Sequence, residues 1–188
     1  IAHMGVTFAV DALSELVDTG LDEEEVAAIR STLLATPGVR SLHELRTRKM
    51  ADNALVDAHI IVDPKVSVSE GHYIAETARL AVLKKHHVLD VMVHIDPEDD
   101  AAAKPNIHLP SREFLLKHLA GRLGDAQLPL AHSVLHYLDG KVDAELYLDT
   151  SYCQNQASVN AMLGKCADIV QDDQYFRDIQ IHYRHAPK

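Results

Sequence analysis

A histidine and an aspartate stand two places apart near the end of VMVHIDP, residues 91–97. Alternate side chains of an extended chain share a face, so His94 and Asp96 would stand side by side with Cα atoms roughly 6.5 Å apart. Val91, Val93 and Ile95 would turn the other way. An imidazole and a carboxylate at that separation can hold a divalent cation; the alternative is a solvated strand end. More imidazoles lie within reach: His43 in SLHELRTR, His59 in DAHIIVD and His72 in SEGHYIAE. Imidazoles with a carboxylate suit zinc or a similar borderline cation. Asp57 and Asp63 share the face of His59 and are placed to orient imidazoles from behind.

These residues need strands and helices in a particular order. Asp22 followed by three glutamates opens a helix with a cap and an acidic first turn. Val26, Ile29 and Leu33 give it a buried stripe, and Pro37-Gly38 ends it. Residues 39–48 and 54–63 read as a hairpin around MADN. Ser67 caps a long helix through Lys85, and residues 89–96 form a third strand, which puts His43, His59 and His94 on one strand each. After the acidic stretch 96–105 the same order returns: a helix from Ser111 to Leu123, strands 130–138 and 141–149 around Asp139-Gly140, a helix from about Cys153 to Val170, and a strand 176–184. Asp57–Asp63 aligns with Asp143–Asp149 at an offset of 86 residues, and Asp90–His94 with Asp178–His182 at 88. The chain therefore reads as α+β, two tandem αββαβ units, each with helices packed on one face of a small sheet.

Composition limits the function. The 188 residues carry a formal net charge of −10 with pI near 5.6, which argues against nucleic acid and favours cations. Histidine is over-used, 13 against 6 tyrosines and no tryptophan. Cys153 and Cys166 make neither a zinc ribbon nor a disulfide framework and suit a reducing compartment. Cys166 falls on a core stripe, and Cys153 lacks the basic partner of a nucleophile. His86 and His87 read as a solvated helix end, and His108 and His118 as exposed. No apolar run is long enough for a membrane span. Residues 1–4 look like a cloning scar, and 5–20 like a lead-in with a short helix in VDALSELVD broken at Thr19-Gly20.

HELRTRK, DAHIIVD, EGHYIAE and VMVHIDP, in that order and spacing, resemble the cytoplasmic C-terminal domain of cation diffusion facilitator transporters. The likeness spans roughly residues 9–98. It implies a ferredoxin-like, metallochaperone-like domain over 21–98; the internal repeat adds a linker over 99–109 and a diverged second domain over 110–188, which is not a feature of the typical family member. It also implies a homodimer beneath the chain's own N-terminal transmembrane domain, at the cytoplasmic face of the inner membrane, with two divalent cations per protomer. His43, His59, His94 and Asp96 then match ligands, Asp96 the bridging carboxylate, and His72 a histidine linking protomers. Zn2+ is the implied ion, and the donor set also tolerates Fe2+, Cd2+, Co2+ and Mn2+. No enzymatic activity is implied; the domain's work is regulatory. Imidazoles bind metal when neutral, so affinity is expected to fall as pH drops through about 6.5.

The second unit departs from the pattern. On the sequence alignment His132 and His182 fall near His43 and His94, Glu145 replaces His59, and Arg184 replaces Asp96. A degenerate copy is the expectation, with a different site from His132, His136, Glu145 and His182 as the alternative. Two other readings stay open for the whole chain: a metal carrier or sensor without a membrane part, and a tandem small-molecule-binding regulatory module.

Overall fold

The structure, a computed structural model, describes residues 1–16, 20–50, 53–99, 102–125 and 127–184, without the side chains of 11–16. The chain divides into two compact units, Ile1–Asp99 and Asp100–Lys188.

The first unit runs α1 (Ala2–Leu16), α2 (Glu23–Leu34), β1 (Ser41–Met50), β2 (Asn53–Ile61), α3 (Val68–Lys85) and β3 (Asp90–Asp96). α1 starts well before the helix expected from Val10 and takes in part of the presumed scar, and its residues through Val10 are all exposed. α2 begins where Asp22 accepts the Glu25 amide at 2.8 Å, and α3 where Ser67 accepts that of Glu70 at 3.1 Å. These caps satisfy amides that the helix leaves without partners. The sheet order is β1-β2-β3, with β1 and β2 antiparallel and β2 and β3 parallel. α3 is the crossover that parallel pairing requires. The turn positions 51 and 52 of the expected MADN hairpin lie outside the described residues.

One face of this sheet is the core. Ala54, Val56, Ala58 and Ile60 of β2 are each at most 1% exposed. Val56, Ala58 and Ile60 pack in clusters with Ile29 and Leu33 of α2, Ile74, Ala78 and Val82 of α3, and Val91 of β3. The period of two therefore sends Asp57 and His59 to the opposite face. In β3 the same rule buries Val91 and leaves Met92 and His94 exposed.

The second unit repeats the plan with α4 (Arg112–Leu123), β4 (Val134–Leu138), β5 (Lys141–Asp149), α5 (Gln156–Asp172) and β6 (Phe176–Arg184). Its sheet order is β4-β5-β6, again antiparallel then parallel. Asp139 and Gly140 both have positive φ, 50° and 71°, the left-handed pair that a tight hairpin needs. Leu115, Leu119, Val142, Leu146, Leu148, Ile169 and Phe176 fill the core. Cys166 joins them, and burial pushes its thiol up to about 11. Part of the expected linker is tied to the hairpin: Asn106 accepts the Gly140 amide at 2.8 Å, and Asp139 accepts that of Lys104 at 2.9 Å.

Several expectations need correction here. Leu130–His132 is a single 3-10 turn, so His132 is exposed and off the sheet rather than near the position of His43. α5 starts at Gln156, because Asn155 and Ser158 form a reciprocal capping box there, and Cys153 lies exposed before it. His118 is half-buried and bonded to Asp173, not on an exposed face. His86 is also half-buried, its Nε2 lying 2.8 Å from the Thr32 hydroxyl.

The largest correction concerns register. Ile61 pairs with Asp96 in the first sheet, while its counterpart Tyr147 pairs with His182 in the second. His182 therefore occupies the place of Asp96, and Gln180 that of His94. Arg184 lies beyond the site, opposite Asp149. The β5–β6 ladder shifts register between Val142 and Asp143, where β6 steps from Phe176 to Asp178. A slip of two residues leaves every side chain on its own face, so apolar alternation cannot detect it.

Candidate metal centre

Three strands deliver the donors to the face that α2 and α3 leave open. β2 contributes His59, and β3 contributes His94 and Asp96. β1 contributes by an irregularity: Leu42 pairs with Ile60 and Glu44 with His59, leaving His43 as the extra residue of a β-bulge. A bulge sets two residues of one strand against one of its neighbour. Leu42 and Leu45, three apart, can therefore both pack on the core, while His43 and Glu44 both approach His59.

The side chains converge. His59 Nδ1 lies 3.0 Å from Asp96 Oδ2, and His43 Nε2 lies 3.6 Å from the same oxygen. The far nitrogen of His59, Nε2, lies 3.6 Å from Glu44 Oε2. One ligand atom each from His43, His59 and Asp96 falls within 4.8 Å of the others. Tetrahedral bonds of about 2.0–2.1 Å separate neighbouring ligand atoms by about 3.3 Å, so these spacings fit one small cation. A carboxylate oxygen between two imidazoles is a donor set for a divalent ion of the zinc type. The side chains are between a fifth and a third exposed, which weakens screening by water without closing the entrance.

The remaining candidates stand apart. His94 stacks on His59, ring centroids 4.5 Å apart and planes 9° from parallel. Its nitrogens do not belong to the converging group. His72 is exposed on α3, outside it as well. Asp57 is exposed, and Asp63 is engaged by Arg40 and by the Lys65 amide, so neither orients a site imidazole. That position behind His59 belongs to Glu44, whose Oε1 is held by Arg46 Nε at 2.9 Å while Oε2 faces His59. Sequence reasoning passed over Glu44 because strict alternation sends it away from His43. The signal was the Leu42–Leu45 spacing, which a regular strand cannot bury on one side.

Known proteins resemble part of the first unit. Residues 21–98 match the family described as cation efflux protein, cytoplasmic domain. The chain is 36% identical over 98 residues, 52% of its length, to metal tolerance protein C1 of Arabidopsis thaliana. It is 31% identical over 97 residues to the cation-efflux pump FieF of Pectobacterium atrosepticum. These matches span 21% and 32% of the relatives' own lengths. Among solved structures, a cadmium form of a MamM CTD variant is 27% identical with a TM-score of 0.40, covering 41% of this chain and 98% of that one. Over residues 21–98, within its first unit, the chain is thus similar to cation efflux protein cytoplasmic domains.

Proposed function

We propose that this chain is the metal-binding regulatory and dimerisation part of a divalent-cation efflux transporter, and that Zn2+ is its ion. Transport belongs to a membrane domain of the full protein; among the described residues no helix is long and apolar enough to cross a membrane. The observation that carries the reading is the convergence of His43, His59 and Asp96 from three different strands. Glu44 stands behind His59 as its orienting partner, His94 stacks beside His59 as a further donor, and His72 is assigned to the boundary with a second protomer. Fe2+, Cd2+, Co2+ and Mn2+ suit the same donors. The domain works at the cytoplasmic face of the inner membrane and catalyses no reaction. A cation bound at clustered carboxylates removes charge repulsion between paired protomers and favours their closer arrangement. By linkage, whatever favours that arrangement raises metal affinity.

Zinc titration with sedimentation velocity in parallel tests this reading. The expected result is saturable binding together with a rising sedimentation coefficient. Saturable binding with no change in association or shape would remove the regulatory part, and no binding would remove all of it. Glu44→Gln, which keeps shape and loses charge, should weaken zinc about 10-fold, the lower end for a partner that orients a ligand. A chelator-competition assay reads this; an unchanged affinity would make Glu44 merely the partner of Arg46.

A further inference from the structure

We propose that the open face of β4, β5 and β6 holds a second divalent-cation site built from His136, Glu145 and His182. With β2 and β5 in register, Glu145 takes the position of His59 and His182 that of Asp96. Carboxylate and imidazole have exchanged places across the same pair of parallel strands, so the donor types survive while the sequence match is lost. His136 arrives from β4, opposite Asp143, on the same face.

The local geometry is that of a prepared ligand pair. His136 Nε2 lies 3.1 Å from Glu145 Oε1, close to the roughly 3.3 Å that separates two ligands of a tetrahedral zinc ion. The two side chains are 10% and 17% exposed, more withdrawn from water than His43, His59 or Asp96 at 21%, 30% and 20%. The Tyr147 hydroxyl donates to Glu145 Oε2 at 2.9 Å, the kind of contact that orients a ligating carboxylate. The ring of Tyr147 stacks on His182 with centroids 4.8 Å apart. His182 is therefore parked beside the pair and is not yet part of it.

The completing movement is small. The diagonal from Glu145 to His182 is the one that His59 and Asp96 close to 3.0 Å in the first sheet. The imidazole at this position is longer than the carboxylate it replaces, so reach is sufficient. His182 is exposed, and exposed side chains change rotamer on the picosecond to nanosecond scale. Leaving the Tyr147 ring brings its nitrogen toward the ion. Of the two cations of β6, Arg177 is bound by both oxygens of Asp143, at 2.9 and 2.7 Å, and Arg184 lies beyond the site, opposite Asp149.

The test uses the full chain carrying His59→Ala and Asp96→Ala together, with zinc alone as the probe. A single zinc per chain should remain bound. Glu145→Gln or His182→Ala, each added to that background, should weaken it ~10-fold or more. Cobalt in place of zinc should give the visible bands of a four-coordinate ion before, and not after, those substitutions. Absence of residual binding overturns the proposal. So does residual binding indifferent to both substitutions, which would come from scattered surface imidazoles. In either case an Asp96-dependent ion in the unaltered chain leaves the first site standing. Zinc binding that ignores Asp96 but disappears with Glu145 would instead remove the first site and keep this one.

Discussion

Asp96→Ala is expected to weaken zinc binding to the first unit by ~100-fold or more, beyond the upper end for losing a residue that only orients a ligand. The reason is that Asp96 Oδ2 does two things at once. It is the atom nearest both imidazoles, 3.0 Å from His59 Nδ1 and 3.6 Å from His43 Nε2, and it carries the charge that makes the pocket attractive to a cation. Alanine leaves the two imidazoles with no oxygen between them. Asp96→Asn separates the two contributions, because it keeps an oxygen acceptor and loses the charge; its affinity should fall between alanine and the unaltered chain. Direct titration at two ionic strengths is the measurement. Zinc affinity equal in all three proteins would show that the ion is held elsewhere.

Asp173→Ala should cost the second unit roughly 1–3 kcal/mol, the range for leaving buried donors without a partner. The side chain is 2% exposed and closes three elements together. Its Oδ2 accepts from His118 of α4 at 2.6 Å and from Arg122 of α4 at 3.0 Å. Its Oδ1 accepts the amides of Tyr175 and Phe176 at the entry to β6, at 2.8 and 3.4 Å. Its own amide ends α5 on the Ile169 carbonyl. Truncation leaves the Tyr175 and Phe176 amides and His118 without their acceptor, while Arg122, a third exposed, keeps Asp172. Burial alone would raise this carboxyl, but the bonds from His118 and the Tyr175 and Phe176 amides, with the charge of His118, outweigh it and hold the group below the usual range. A depressed native value stabilises above the unfolded carboxylate value of about 3.9, and that contribution is lost as pH falls through the native one. Urea unfolding should therefore show a flatter acid limb in Asp173→Ala. Tyrosine emission is the right probe, since five of the six tyrosines lie in this unit and Tyr73 alone in the other. A midpoint unmoved at neutral pH would make the cluster ornamental.

Local signals were easily read because they are local. Asp22, Ser67 and Ser111 are caps at the helix starts where their chemistry places them, and Asp139-Gly140 makes the hairpin it promises. Strand order made a gathering of His43, His59 and Asp96 possible, and the family resemblance singled these residues out, but the bulge that turns His43 toward His59 was not visible. What stayed hidden depends on register. A bulge adds one residue without changing composition, and it turned Glu44 from a surface charge into the neighbour of His59. The slip of two residues in β6 preserved every apolar position and so disguised His182 as the partner of His94. His118 and Asp173 lie 55 residues apart, and no periodicity connects such a pair. His94 lies flat against His59 because neighbouring strands set them directly opposite each other, a crowding that a list of donors does not reveal.

The donors of the first unit sit on all three strands, including both borders of the sheet. Border strands are the first to fray, since half of their amides have no ladder partner. An ion gripping β1, β2 and β3 together works as a clasp across the full width. Proton exchange of the β1 and β3 amides should therefore slow on loading in step with occupancy, while α1 keeps its own pace. On the proposed function, the unit's mechanical looseness would then report how much of the metal is bound.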